Sequence, residues 1–302
     1  HIRAKDSTQR IMLYVIIALL PATVFGIINF GPRALAVVVV SIASCLVSEY
    51  LYNKIAHKKQ TIGDLSCVVT GLLLGLNLSH TVPFFIPIIG GAFAIVVVKM
   101  IFGGLGPNFM NPALGARCFL LLAFTGPMTS FTFDGVSGAT PLAVIKGGEL
   151  YSDTMAMFTG RIAGTIGETS VIALLIGAIF LILMGVIDLR IPGTYILTFV
   201  VFIVLFGGHL TSGDLGQFVV QEVCGGGLIL GAFFMATDYV TSPITPKGKI
   251  IYGIICGCLL GIFRMFGASA EGCSYSIIFA NMLVPLIERF TIPKPFGKGG
   301  EK

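Results

Sequence analysis

Thr61-Ile-Gly-Asp-Leu65 and Thr211-Ser-Gly-Asp-Leu215 are two copies of one pattern, 150 residues apart. Gly71-Leu-Leu-Leu-Gly75 returns as Gly227-Leu-Ile-Leu-Gly231, and Phe102-Gly103 as Phe266-Gly267, at offsets of 156 and 164. Short Gly- and Leu-rich strings also recur by chance. Here the matches keep their order, the offset grows slowly, and each copy precedes or lies in a matching apolar run. That argues for an internal repeat.

The composition sets the medium. Of 302 residues, 55% are hydrophobic and 11% charged, and the mean hydropathy is +0.96. A soluble domain carries roughly 25% charged residues. A soluble enzyme, a disordered chain and a nucleic-acid-binding protein are therefore excluded. The net charge of +5 is read as loop charge. Gly 39 suits close helix packing in lipid. The chain starts at His1 rather than Met, so no leader can be read.

A bilayer core about 30 Å thick takes about 20 helical residues. Apolar runs fall at 11–30, 34–52, 65–78, 82–102, 112–124, 168–187, 193–206, 219–237, 249–266 and 274–290. The third and fifth are short, as broken or partial spans are. With the N-terminus cytoplasmic, 13 Lys and Arg fall on the cytoplasmic side and 3 outside. Three more, Lys99, Arg117 and Arg264, lie at membrane depth. Such asymmetry sets orientation, and it places the polar stretch 125–167 outside. The expected fold is an all-α integral membrane protein of about ten transmembrane helices. Residues 1–124 form a first five-helix repeat, 125–167 an outward-facing loop, and 168–302 a second five-helix repeat with a cytoplasmic tail. Five helices per half make the repeat inverted, an arrangement that builds a midplane site between the copies.

The outer stretch holds Asp134-Gly-Val-Ser137-Gly138-Ala139-Thr140-Pro141-Leu142. Gly138 and Ala139 leave the Thr140 hydroxyl open to a bulky partner, and Pro141 stiffens the exit. A threonine hydroxyl is a poor nucleophile unaided. The residues alone favour an ordinary loop, or a helix start capped by Ser137 or Thr140.

The string matches the flavin-attachment motif Asp-x-x-Ser/Thr-Gly-Ala-Thr/Ser. Two more stretches look like the same family: Gly106-Pro-Asn108-Phe-Met-Asn111-Pro112-Ala-Leu-Gly-Ala116-Arg117, and Phe234-Met-Ala-Thr237-Asp238-Tyr-Val-Thr-Ser242-Pro243. Over nearly its whole length the chain resembles the D subunits of the Rnf complexes, ion-translocating ferredoxin:NAD oxidoreductases. It is also similar to the B subunits of the sodium-translocating NADH:quinone reductases, which tend to be longer.

The resemblance implies covalent FMN, joined to Thr140 through a phosphoester bond by a flavin transferase. Asp134, Ser137, Gly138 and Ala139 would form the recognition sequence. It also implies a noncovalent riboflavin in the membrane domain, for which residues around Asn108, Asn111, Arg117 and Asp238 are candidate contacts. The implied function is a membrane electron-transfer subunit within a complex that couples redox chemistry to Na+ or H+ translocation, with no complete activity alone. The expected partners are the other Rnf subunits: membrane subunits, an outer FMN-carrying subunit, and cytoplasmic NADH- and ferredoxin-handling subunits. No P-loop or Rossmann glycine pattern is visible, so nucleotide handling falls to those partners.

Ionisable groups at membrane depth are functional hypotheses by default. Arg117 follows Asn111-Pro112 at a helix start and can hold a phosphate or a flavin edge, or clamp backbone carbonyls. Lys99 lies near a run's end and is expected to snorkel. Glu222 and Arg264 are expected to pair between neighbouring helices. Asp64 and Asp214, the repeated Gly-Asp carboxylates, are expected as helix caps and are also the candidates for a cation path. The seven cysteines show no metal-ligand spacing and read as small packing residues. His57, His80 and His209 fall in loops with no partner pattern. Five plus five inverted helices also resemble the urea and ammonium channel architecture, so a non-redox solute channel or transporter is the competing reading. The motif on the outer loop argues against it.

Overall fold

The computed structural model describes residues 7–133, 136–207, 214–267 and 271–293. Ser7 caps α1, Thr8–Phe30, by accepting from Arg10 N. Gly31 then turns the chain with φ 77°, and Pro32 opens α2, Pro32–Ile55. Glycine bears the positive φ, and proline fits a first helical turn that has no N–H to satisfy. A 3-10 turn, Ile62–Asp64, leads into α3, Ser66–Leu76. α4 spans Phe85–Met100, α-helical to Ala92 and π-helical over Phe93–Met100. α5, Pro112–Ala123, is capped by Asn111.

The second half holds α9 Val171–Leu183, α10 Arg190–Phe206, α13 Pro246–Phe266 and α14 Cys273–Thr291. The expected eighth run is in fact two helices, α11 Leu215–Cys224 and α12 Leu228–Met235, bent by 58° at the break. Gly225, Gly226 and Gly227 make that break. Among the described residues α1, α2 and α13 are long and apolar enough to cross a bilayer, and α11 with α12 passes as one bent span. Five shorter apolar helices (α3, α4, α5, α9 and α10) accompany them. Their lipid-side residues, such as Leu122, Leu183 and Leu197, are exposed. The chain is therefore a helical membrane protein.

The stretch 125–167 is more structured than a polar loop. It carries α6 Thr125–Thr129, a two-residue hairpin (β1 Thr132–Phe133 against β2 Val136–Ser137), α7 Pro141–Lys146 and α8 Thr154–Thr159. Its exit reaches into the bundle. Ile166 N donates to Leu78 O at 3.0 Å and Gly167 N to Leu76 O at 2.8 Å. These bonds satisfy carbonyls at the end of the short α3, where lipid offers no donor.

Helices approach closely at glycines. A Cβ on Gly177 of α9 would lie 1.9 Å from Ala18 O of α1. On α13 the stripe Gly253, Gly257, Gly261 faces α10, and a Cβ on Gly257 would meet Tyr195 O at 2.7 Å and Phe199 N at 2.9 Å. We predict that Gly257→Val destabilises the fold by about 1–3 kcal/mol through overpacking. Gly193→Ala on α10, where nothing lies within 4 Å of the new carbon, leaves stability unchanged or slightly raised. Thermal midpoints of the two purified variants check this; an unshifted Gly257→Val would contradict the packing.

Candidate functional site

Thr140 sits at the start of α7, where its hydroxyl accepts from Ala143 N at 3.4 Å. Capping by Thr140 is therefore the local role of that side chain, as one of the sequence readings had it. The same residue, with Gly138 and Ala139, lines a cavity of about 580 Å³, a size typical of small-molecule sites. Gly138 and Ala139 are exposed, so the cavity reaches the surface beside them. Ser137 lies in β2, and Asp134 lies outside the described residues.

The cavity walls are mostly apolar, with Leu121, Leu122, Phe131 and Tyr275 among them. Its inner end is polar. There Arg117, 3% exposed, donates to Glu168 Oε1 at 2.7 Å and to Glu271 Oε2 at 2.5 Å. Its Nη1 also donates to Asn77 Oδ1. Arg117 Nε and Thr169 Oγ1 find no partner among the described residues, and both residues line the cavity. Buried donors normally have acceptors. An apolar slot with a polar end suits a flat heteroaromatic ring.

A second, narrower cleft lies at the other end of α5. It is lined by Asn108, Asn111, Thr237 and Asp238, with Ser66, Lys99, Phe233 and Phe234. Asn111 accepts from Ala113 N at 3.0 Å and donates to Met235 O at 3.4 Å, joining α5 to α12. Asp238 accepts from Thr241 Oγ1 at 3.2 Å and from Val240 N at 3.3 Å. The structure thus brings Asn108, Asn111 and Asp238 together, and it places Arg117 elsewhere, in the large cavity. Asn111 and Arg117 are separated by six residues, about 9 Å of helix rise.

Lys99 corrects its expectation. It does not snorkel: it is 2% exposed, and its Nζ donates to Glu49 Oε2 and to Ser66 Oγ, each at 2.7 Å. Glu49 lies two helices back, where the sequence gives no pairing signal. Arg264 and Glu222 do pair, at 3.0 Å, and Arg264 also donates to Gly225 O at 2.9 Å. Asp64 is not the N-cap of α3, which is Leu65, but stands one residue before it and accepts from Ser66 N at 2.8 Å. Asp214 caps α11 through Gly216 N at 3.0 Å. Cys45, Cys67, Cys118, Cys224, Cys256 and Cys273 are buried. Sequence reasoning missed Glu168, Glu271 and Asn77. The one available signal was Glu168, a lone carboxylate heading an apolar run.

His80 also has a partner pattern, contrary to expectation. Its ring stacks on Phe30 with centroids 4.7 Å apart, and Nε2 lies 3.2 Å from Thr132 Oγ1 of the hairpin. Burial, with Arg33 nearby, lowers its pKa from 6.5. The unfolded chain therefore binds the proton more readily, and stability falls as pH drops below about 6.5. We predict that the thermal midpoint declines between pH 7 and 5, and that His80→Gln flattens this part of the profile. An identical decline in the variant would contradict the assignment.

Comparisons place this geometry among known proteins. The profile of the NQR2, RnfD, RnfE family matches residues 1–297. The chain is 48% identical to the D subunit of the Na(+)-translocating ferredoxin:NAD(+) oxidoreductase complex of Acetobacterium woodii, across 98% of this chain and 93% of the relative. It is 40% identical to the D subunit of the proton-translocating ferredoxin:NAD(+) oxidoreductase complex of Clostridium ljungdahlii, across 98% and 94%. Identity to the D subunit of the ion-translocating oxidoreductase complex of Methanosarcina acetivorans is 35%, across 98% and 95%.

Proposed function

The chain belongs to the NQR2, RnfD, RnfE family, and on that premise we propose that it is the D subunit of an ion-translocating ferredoxin:NAD+ oxidoreductase. In this reading it carries FMN as a phosphoester on Thr140 and passes electrons across the membrane domain, with no complete activity alone. The observation that carries the reading is the position of Thr140. Thr140 lines a cavity of about 580 Å³ whose lining also includes Arg117, Glu168 and Thr169. The attachment sequence and the receptive cavity thus coincide.

Attached FMN supplies one- and two-electron chemistry. The chain's part would be to anchor the phosphate at Thr140, to exclude water with Leu121, Phe131 and Tyr275, and to line the polar end of the cavity with Arg117, Glu168 and Thr169. The narrower cleft at Asn108, Asn111 and Asp238 is the proposed seat of riboflavin. α5 then joins the two flavin sites. The other Rnf subunits bring and remove the electrons, and a flavin transferase makes the phosphoester. Na+ or H+ is the translocated ion. Asp64 and Asp214 are the proposed path carboxylates.

The proposed architecture is ten crossings in two inverted halves, termini cytoplasmic and the flavin loop outside, in the cytoplasmic membrane. The buried charges support it. Glu49, Ser66 and Lys99 meet in one half, and Phe199, Glu222 and Arg264 in the other. Arg264 stacks over Phe199 at 5.1 Å and pairs with Glu222. The offsets between these partners are 150, 156 and 165, following those of the sequence repeat.

Intact mass of the chain, produced with its transferase, tests the attachment. The expected gain is one FMN less water, absent in Thr140→Ala. An unmodified parent chain would remove the redox reading and bring the channel reading forward.

A further inference from the structure

We propose that Glu168, held together with Glu271 on Arg117 beside the break between α11 and α12, takes up a proton when the flavin on Thr140 is reduced. This rests on the attachment reading above. Two carboxylates share one guanidinium, at 2.7 and 2.5 Å, so the group carries one excess negative charge if both are ionised. Glu168 is 6% exposed. The two carboxylates converge on the same backbone: a Cβ on Gly227 would lie 2.7 Å from Glu168 Oε1 and 3.1 Å from Glu271 Oε1.

The neighbouring charges do not relieve this excess. Arg264, whose Nη2 would lie 3.2 Å from a Cβ on Gly226 that is itself 3.7 Å from Glu271 Cγ, is already held by Glu222 and Gly225 O. Lys146 donates to the carbonyls of Arg264, at 3.1 Å, and Gly267, at 2.5 Å. Cys118, Cys273 and Tyr275 complete the titratable groups around the cluster, and none brings positive charge.

Like charges in a low-dielectric wall bind a proton more readily than either would alone. Electrons added to a ring in the same cavity add further negative potential, which raises the proton affinity of the carboxylate facing it. Thr169 is 1% exposed, its hydroxyl has no partner among the described residues, and the residue lines the cavity that surfaces at Gly138 and Ala139. The event balances simply. The redox partners of the complex supply the electrons, which stay on the ring. One proton from water forms one O–H bond on Glu168, and it leaves on reoxidation.

The test is a reduced-minus-oxidised infrared difference spectrum of the purified complex between pH 6 and 8, with covalent flavin checked by fluorescence of the chain in a denaturing gel. The expected result is a protonated-carboxyl band on reduction that is lost in Glu168→Gln and kept in Glu168→Asp. In Glu271→Gln, which removes the like charge, the band moves to lower pH; that variant carries the test if Glu168→Gln fails to assemble. A fluorescent chain whose band is the same in parent and Glu168→Gln overturns the inference alone. A parent chain without fluorescence overturns the attachment reading and the inference with it. A response to sodium in place of any carboxyl band would reassign the cluster to a cation and overturn proton uptake.

Discussion

Arg117→Leu is expected to lower stability by about 3–5 kcal/mol, the usual cost of stranding a buried ionic partner. The substitution leaves Glu168 and Glu271 facing each other without the guanidinium that bonds both, at 2.7 and 2.5 Å. It also strips Asn77 Oδ1 of its donor. Arg117→Lys restores only part of the loss. An ammonium is a point charge and cannot reproduce a planar fork that serves two carboxylates and an amide. Adding Glu168→Gln and Glu271→Gln to Arg117→Leu should recover stability, because the uncompensated charge disappears with them. The measurement is the unfolding midpoint of each purified variant. A near-parental Arg117→Leu would show that water or a shifted side chain compensates for the missing cation.

Lys99→Met is the second substitution with a large expected effect, also about 3–5 kcal/mol. Glu49 is fully buried. Besides Lys99 it has Thr61, whose hydroxyl donates to Oε1 at 2.5 Å, and Thr61 accepts from Asn53 Nδ2 at 3.0 Å. Removing the ammonium leaves a carboxylate with neutral donors only, and it removes one of the ties between α2 and α4. The double variant Lys99→Met, Glu49→Leu should recover most of the loss, since apolar replacements of whole buried pairs are often neutral or better. A double variant no better than the single would mean that Lys99 acts through Ser66 at the start of α3 rather than through Glu49. If that contact matters most, Ser66→Ala alone should reproduce the loss.

Some of this was legible along the chain. The apolar runs, the Gly31-Pro32 turn, the short third and fifth helices and the Asp214 cap follow from local composition and backbone chemistry. So does the Arg264–Glu222 pair, since both sit at depth on apolar helices and each needs a counter-charge. The attachment string is local as well: its small residues and its threonine occupy consecutive positions, and no folding is needed to assemble them.

Other features required the tertiary structure. Lys99 reads as an end-of-run lysine, yet it faces inward to a carboxylate 50 residues earlier. Asn111 and Arg117 read as one cluster. Asn111 is the extended N-cap of α5 and Arg117 lies inside the helix, about 9 Å further along its axis, so one meets the cleft with Asp238 and the other the cavity with Thr140. Glu271 reaches Arg117 from 154 residues away. By itself the sequence determined that the chain is membrane-spanning and which threonine bears the attachment motif, because hydropathy and motif chemistry act within a few residues. Only the tertiary structure decided which buried cation meets which carboxylate, and that Thr140 and Arg117 share one cavity. Those contacts depend on which face each helix turns to partners distant in the chain, and membrane burial makes every ionisable group seek one.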